Sequence, residues 1–504
     1  VLGLNSTVEL RFKNGREPEK YLTMVRRGNK VVLDPDRSSE SCNSNCNGKL
    51  PQEIDIDVSM ISKVLVDNSD NADVQRKKLE DVLYFLLCTP PACPPHILVA
   101  LGCSIESVGV KPKSFDLEKE LLDACKVQLN ASQLKAWNHM LSNPLSAVIG
   151  PPGTGKTTLI KAVAKAWEHL GETGETLLCV AHQNVAVRHM AESMVKEGIP
   201  GVLLLISEDY YVDWHEDHYT HVKDCIVISG PQTAAGMKTW AFRNKVTVPK
   251  VILCTLAVIG SQAFYTGLMG TKVTHLIIDE CSQAAEGHLI SNLVCLPHLQ
   301  MLSVLGDPSQ LPPYGKPLQS VFDLVAGQCD VKFLHQQFRM PNCIAKFVSE
   351  EFYQGRLETV RNESQTGRSS VKKPLIWVAV SGFPRQASGT KKSLCNIAEA
   401  EAIVSYCKEY KARMDAAGIE LHHGKLIVLS LYEGQRIMVT KLLKENELEK
   451  IPVYNVDSFQ GQEADDVLIS LVVGDRGSSF AVDRNRACVL LSRAKRLMYI
   501  FGDI

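Results

Sequence analysis

Two hydrophobic patterns alternate along most of this chain. One is the short continuous apolar run, as in "SAVIG", "TLLCVA", "VILCT", "HLIIDE" and "MLSVLGD". The other spaces its apolar residues three and four apart, as in "TTLIKAVAKAW". A short apolar run bounded by turn residues predicts a strand buried on both faces, and the wider spacing predicts a helix with one apolar side. Strands that alternate with helices predict a parallel sheet carrying helices on both faces. After about Pro341 a second set follows: "PLIWVAV", the helix "NIAEAEAIVSYCKEYKARM", then "KLIVLSLY", "DVLISLVV" and "RLMYIFGD". The fold class is therefore α/β, with two parallel-sheet domains in tandem.

The first part of the chain departs from this pattern. "STVELRFKNG" and "KVVLDPD" read as strands, "SSESCNSNCNGKLPQ" as a loop and "DVQRKKLEDVLYFLL" as a helix that the Pro-rich "CTPPACPPH" (Cys88–His96) ends. The expected organisation is an N-terminal accessory domain, partly β, at 1–125, a first α/β domain at 126–340 and a second at 341–504. A polar, aromatic-rich stretch at about 200–250 is expected to be an insertion in the first.

Composition narrows the partners. With 55 basic against 56 acidic residues the net charge is −1, so contact with nucleic acid has to come from a local groove and not from whole-surface attraction. No apolar run is long enough to span a bilayer, and "VLGLNSTVELRFKNG" lacks the apolar core of a signal peptide. Many of the 16 cysteines sit inside apolar strands, Cys179, Cys254 and Cys488 among them, which suits buried reduced thiols in a cytoplasmic or nuclear protein. The sequons at Asn5, Asn130 and Asn362 are then chance matches. A start without Met and a stop at "FGDI", just past the last strand, read as a piece of a longer protein.

Chemistry concentrates in a few short segments. Between the strand "SAVIG" and the helix "TTLIKAVAKAW" lies Gly150-Pro-Pro-Gly-Thr-Gly155-Lys156-Thr157, a G-x-x-x-x-G-K-T phosphate loop in the strand–loop–helix setting it requires. Glycines such as Gly153 and Gly155 let backbone N–H groups wrap phosphate oxygens. Lys156 is placed to reach the outer phosphates, the Thr157 hydroxyl to ligate Mg²⁺ and Thr158 to line the nucleotide. Together these residues predict ATP and Mg²⁺ as cofactors. "HLIIDECSQAAE" ends a strand in Asp279-Glu280, where ligands collect in open α/β sheets. Asp279 is expected in the Mg²⁺ shell and Glu280 as the base that polarises the attacking water, the alternative being an ordinary acidic helix start. Gln310, in "VLGDPSQLPP", can report the γ-phosphate or simply stabilise its turn.

The order of these blocks resembles superfamily 1 helicases, and within them the Upf-like group that includes the nonsense-mediated-decay helicase and senataxin. The match runs over about 128–504. "LNASQLKAWNHML" resembles the adenine-reading segment, with Gln133 as the base contact. "CVAHQNVAV" and "VILCTLAVIGS" resemble segments that touch the nucleic-acid backbone. "LHQQFRMP" followed by "FYQGRL" resembles the start of the second domain, and "LYEGQ", "VDSFQGQEADDVLIS" and "RACVLLSRAK" resemble the last three motifs. The resemblance implies two RecA-like domains that close on one nucleotide. It makes Arg339 and Arg493 arginine fingers, sets Phe338 against the adenine, and assigns Gly461 and Glu463 to the motif linking nucleotide state to nucleic-acid grip, with Glu463 on the ribose. It also implies 5′-to-3′ movement on either nucleic acid. Three positions depart from the family pattern: Gln462 where Arg or Lys is common, Phe338 for Tyr, and His182-Gln183 for a Pro-Ser pair.

The function expected is an ATP-dependent helicase or translocase on single-stranded nucleic acid, RNA favoured over DNA, working as a monomeric engine with unidentified protein cofactors and no membrane. The alternative is an ATP-gated clamp or ribonucleoprotein-remodelling ATPase with little unwinding. A small-molecule or nuclease-coupled NTPase fits less well, since there are tandem domains and no separate metal-nuclease cluster. Asn184, Thr255, Ser430 and Ser458 are candidates for a track along the nucleic-acid backbone, because hydroxyls and amides suit phosphate contacts; capping of strand ends is the plain alternative for each. Cys42-x₃-Cys46 with Cys88-x₄-Cys93 is too loosely spaced to favour zinc over free thiols. His215, His218 and His221 fall in an acidic, aromatic segment that favours solvated or packed imidazoles over a metal face.

Overall fold

The computed structural model describes the backbone of four strands between residues 7 and 57, and then residues 118–503 apart from 172–173, 214–221, 231, 260–263, 265–270, 286–291, 294–295, 297, 314–319, 361–372, 388–392, 421–424 and 473–482. The helix expected from "DVQRKKLEDVLYFLL", the cysteine pairs at 42–46 and 88–93 and the three histidines between 215 and 221 lie outside the described residues. The four N-terminal strands, β1 (Thr7–Leu10), β2 (Lys20–Arg27), β3 (Lys30–Pro35) and β4 (Asp55–Asp57), form an antiparallel meander in that order.

The chain divides into two compact units, one of Val1–Val148, Thr157–Gly306 and Pro313–Lys332, the other of Ile149–Lys156, Asp307–Pro312 and Phe333–Ile504. The first is built on an eight-stranded sheet of β5 (Leu145–Ile149), β6 (Glu175–Ala181), β7 (Val202–Ser207), β8 (Ile226–Ser229), β9 (Val251–Thr255), β10 (Lys272–Asp279), β11 (Met301–Gly306) and β12 (Val331–Phe333). Their order is β12-β5-β11-β10-β6-β9-β7-β8. The β11–β10, β10–β6, β6–β9, β9–β7 and β7–β8 pairings are all parallel. β9 and β11 are buried along their whole length, as sheet interiors covered on both faces require.

Among the helices that accompany this sheet are α1 (Ala131–Ser142), α2 (Lys156–Leu170) and α3 (Asn184–Lys196), of which α3 packs on β6, β7 and β9. A capping box starts α1: Asn130 accepts from the Gln133 N–H, and the Gln133 side chain accepts from the Asn130 N–H. Asn130 is thus committed to the helix end, as a chance sequon allows. The stretch at 200–250, expected to be an insertion, supplies β7 and β8 to one end of the sheet, with β8 as the edge strand. Its run "VLLLIS" is apolar enough for a central strand, and the polar residues that follow obscured it.

The second unit holds a five-stranded sheet of β13 (Leu375–Ala379), β14 (Leu426–Ser430), β15 (Val453–Asn455), β16 (Ala464–Ser470) and β17 (Ala494–Gly502). The order is β13-β17-β16-β14-β15, and every pairing is parallel. Alternate residues of β14 feed two separate cores. Ile427 and Leu429 join Ile344 and Val348 of α4 (Asn342–Tyr353). Leu426 and Val428 join Ile403 and Cys407 of α5 (Ile397–Ala416) and Val439 and Leu443 of α6 (Glu433–Glu445). A last helix, α7 (Arg484–Leu491), adds Cys488 and Val489 to the first of these cores. Each unit is thus a parallel α/β sheet of the RecA-like kind.

Candidate nucleotide and nucleic-acid site

The phosphate loop leaves the carboxyl end of β5, where a parallel sheet presents its ligand-binding edge. Gly153 and Gly155 have φ of +73° and +82°, a region that side chains other than glycine's rarely enter. The loop closes on itself. The Thr154 hydroxyl donates to Pro151 O at 2.7 Å, and Lys156 Nζ donates to Gly150 O at 2.9 Å. A Cβ at Gly150 would lie 2.3 Å from Lys156 Cγ, and one at Gly153 would lie 2.5 Å from Arg339 Cβ. Only bare backbone fits there, which is the surface a phosphate group needs. The "FRM" segment docks on the same loop, with Phe338 N–H donating to Gly153 O at 2.9 Å. Phe338 itself is 46% exposed, so its ring face is open for stacking.

Both candidate fingers belong to this second unit and are held firmly. Arg493 is only 1% exposed. Its Nε donates to Val489 O at 2.8 Å, Nη1 to Gln462 O at 3.0 Å and Nη2 to Gln310 Oε1 at 3.0 Å. Arg339 Nε donates to Glu463 Oε2 at 2.6 Å and its Nη1 to Ser492 O at 3.2 Å. Lys495 pairs with the other oxygen of Glu463. Burial works to raise the Glu463 pKa, but the charges of Arg339 and Lys495 outweigh it and hold the group at about 2. Gly461 turns the chain just before, with φ of +76°.

Gln310 is brought to Arg493 by a chain of buried hydrogen bonds. Its Nε2 donates to Asp307 Oδ2 at 2.6 Å, and the Tyr353 hydroxyl donates to that same oxygen at 2.6 Å. Tyr353 also lies 3.3 Å from Cys488 Sγ. Burial raises the Asp307 pKa, an effect that the Gln310 and Tyr353 hydrogen bonds and the Lys156 charge oppose. Asp307, Tyr353 and Lys495 carried no assigned role in the sequence reading. The one signal was that all three sit in quoted motifs, whereas long-range pairing such as Tyr353 with Asp307 has no mark in local spacing.

In the first unit, Asp279, Ala181 and Thr255 line up across β10, β6 and β9 at the carboxyl edge of the sheet. Asp279 and Glu280 are both buried there, and the Glu280 N–H donates to Asp279 Oδ1 at 2.9 Å. Glu280 holds φ of +50°, a strained conformation of the kind that collects at reactive sites. The buried Asp279 carboxylate is a hard oxygen donor of the kind that suits Mg²⁺. Thr157 and Thr158 open α2, and Gln133 lies buried in the first turn of α1. Gln183 donates to Gln283 at 3.0 Å, which ties the substituted His182-Gln183 segment to the strand end after Glu280.

The four candidate track residues differ in setting. Asn184 begins α3 and Thr255 ends β9, both on the first unit's carboxyl edge. Ser458 is exposed, its hydroxyl donating to Asn455 O at 2.8 Å. Ser430 is fully buried, and its hydroxyl caps its own strand end by accepting from Tyr432 N–H at 3.1 Å, which is the plain alternative for that residue. Among the described residues no group of three His, Cys, Asp or Glu is placed to hold a metal ion, and no helix is long and apolar enough to cross a membrane. The thiols of Cys179, Cys254 and Cys488 are buried and free, and burial raises the pKa of each.

Comparison with known proteins adds to this geometry. Two family profiles, both described as an AAA domain, match residues 133–316 and 318–504. Regulator of nonsense transcripts 1 of Caenorhabditis elegans is 25% identical over 94% of this chain and 46% of its own length. Its Neurospora crassa homolog is 30% identical over 79% of this chain and 39% of its own. The DNA polymerase alpha-associated DNA helicase A of Schizosaccharomyces pombe is 28% identical, covering 79% and 67%. The chain thus spans less than half the length of the first two.

Proposed function

We propose, given that this chain belongs to the Upf-like group of superfamily 1 helicases, that it is an ATP-dependent helicase or translocase on single-stranded nucleic acid, RNA before DNA, moving 5′ to 3′. The observation that carries the reading is a pair of arginines in the second unit, one against the phosphate loop and one on Gln310. The Arg339 backbone lies against Gly153, and Arg493 is hydrogen-bonded to Gln310. A plain nucleotide-binding module has no use for two such cations. An arginine that stabilises transferring phosphate accelerates hydrolysis by about 10³–10⁵-fold, which is why a motor carries one.

The roles follow from chemistry. Backbone N–H groups of the loop cradle the phosphates, and Lys156 leaves Gly150 O for the outer ones. Mg²⁺, held by the Thr157 hydroxyl and the Asp279 carboxylate, would neutralise phosphate charge. Glu280 accepts the proton of the attacking water, Phe338 stacks on the base and Gln133 reads its edge. Gln310 turns between Arg493 and the γ-phosphate and so reports hydrolysis. Asn184, Thr255 and Ser458 hold the strand by its phosphates.

The deciding experiment measures ATP turnover by the purified chain alone, with single-stranded RNA and with single-stranded DNA of matched sequence. Strong stimulation, larger with RNA, is the expected result. Turnover indifferent to both polymers overturns the translocase. Strand separation on a tailed duplex then distinguishes a motor from an ATP-gated clamp.

A further inference from the structure

We infer that Asn485 is a positioning residue for ATP hydrolysis: its side-chain amide pins the backbone of the turn that carries Gln310, so that Gln310 meets Arg493 from a fixed base. The inference rests on the ATP-hydrolysing reading above, with Gln310 as its phosphate-reporting residue. It gives a role to the residue one position before the quoted "RACVLLSRAK".

Asp307-Pro308-Ser309-Gln310 forms a β-turn after β11. Gln310 N–H donates to Asp307 O at 3.0 Å, with Pro308 at the position where its preset φ is favoured. Ser309 N–H donates to Asp307 Oδ1 at 3.1 Å, and the Ser309 hydroxyl donates to Phe352 O at 3.2 Å. Two carbonyls of the turn meet Asn485, whose Nδ2 donates to Pro308 O at 2.9 Å and to Gln310 O. An amide nitrogen carries two hydrogens, and both partners here are acceptors, so the oxygen end of the same amide has no use at this spot.

α7 brings the amide there. Asp483 caps the helix by accepting from Arg486 N–H at 3.0 Å. On one side of Asn485, the Arg484 guanidinium lies 5.3 Å over the Phe352 ring. On the other, Arg486 grips Asp457 with Nε at 3.0 Å and Nη2 at 3.2 Å. These anchors fix the rotation of the first helical turn and thereby aim the amide. Past the other end of the same helix, Arg493 Nη2 donates to Gln310 Oε1 at 3.0 Å. α7 therefore holds Gln310 twice, by its backbone from the first turn and by its side chain from just beyond the last. With its backbone held, Gln310 swings only on its own side-chain bonds. Polar groups that are placed beforehand need no rearrangement during reaction, and a misplacement of about 1 Å can cost about a hundredfold in rate.

The test measures kcat and KM for ATP, with saturating single-stranded RNA, and the urea midpoint of the full chain. It compares wild type, Asn485→Asp, Asn485→Ala, Asn485→Gln and Gln310→Ala. Asn485→Asp keeps the shape but sets an oxygen against the two carbonyls. Positioning predicts that it lowers kcat by about tenfold or more, at least as far as Asn485→Ala, while KM stays within about twofold. Asn485→Gln keeps the amide on a longer stem and recovers part of the loss. Combined with Gln310→Ala, Asn485→Asp costs nothing further, because both act through one group. Wild-type kcat in Asn485→Asp, beside an impaired Gln310→Ala, overturns the inference. So does a loss that adds in full to that of Gln310→Ala and tracks a lowered urea midpoint, since Asn485 would then be a stability contact alone. If Asn485→Asp does not fold, Asn485→Ala and Asn485→Gln carry the same comparison. A wild-type chain that turns over no ATP, or a Gln310→Ala variant at full kcat, defeats the underlying reading, and that outcome is distinct from either of these.

Discussion

Tyr353 and Gln310 donate to one oxygen of Asp307, so the carboxylate fixes which way the Gln310 amide faces and leaves its oxygen to Arg493. Replacing Tyr353 by Phe removes one donor from a fully buried acceptor, together with the weaker contact to Cys488 Sγ. Hydrogen bonds to charged groups contribute about 1.5–3 kcal/mol, so Tyr353→Phe is expected to lower stability by that amount in denaturant unfolding followed by near-UV signal. It should also lower kcat more than it raises KM, since Gln310 loses its fixed orientation. Unchanged stability and turnover would show that Asp307 is held by its other donors. "FYQGRL" marked this tyrosine as part of a motif. Its partner lies 46 residues away, and only the packing of α4 brings the two together.

At the scale of elements, the loop Gly150–Lys156 combines two constraints at Gly153, a φ of +73° and the Arg339 Cβ against its Cα. Gly153→Ala meets both and should abolish nucleotide binding in a fluorescent-ATP titration while the far-UV spectrum stays that of the wild type. Retained affinity would mean that the Arg339 segment yields easily. β10 supplies a pH response of its own. His275 is fully buried, 2.9 Å from Ser303 Oγ and edge-on to Trp167, and burial depresses its pKa to about 3. Below the ordinary value near 6.5 the unfolded chain takes up a proton that the folded chain does not. Stability therefore falls by up to about 1.4 kcal/mol per pH unit as pH drops from there towards 3, or by about 2 kcal/mol between pH 7 and pH 5. His275→Gln should remove that slope from urea midpoints measured at the two pH values. An unchanged slope would place the pH dependence elsewhere. Most strands of the two sheets were legible as short apolar runs. β7 and β8 were not, since the polar, aromatic-rich residues after "VLLLIS" read as an insertion, and the three-residue β12 and β15 are too short to show a pattern.

For the whole molecule, a ligand that binds only the folded state adds stability by mass action, about 2.7 kcal/mol at one hundred times its Kd. A non-hydrolysable ATP analogue should therefore raise the melting temperature in a concentration-dependent way, and Lys156→Ala should abolish the rise. No shift in the wild type would remove the nucleotide site. At this scale local pattern and long-range packing divide the information cleanly. The amino-acid sequence alone determined the α/β class, the two tandem sheets, the phosphate loop and the Asp279-Glu280 strand end, because each depends on hydrophobic period or on contiguous residues whose backbone needs are local. Only the tertiary structure decided that Glu463 meets Arg339 and Lys495, that Tyr353 reaches Asp307 and that the Ser430 hydroxyl turns inward. Those partners are set by which strands lie side by side and how deeply each side chain is buried, and a parallel sheet pairs strands that are far apart in the chain.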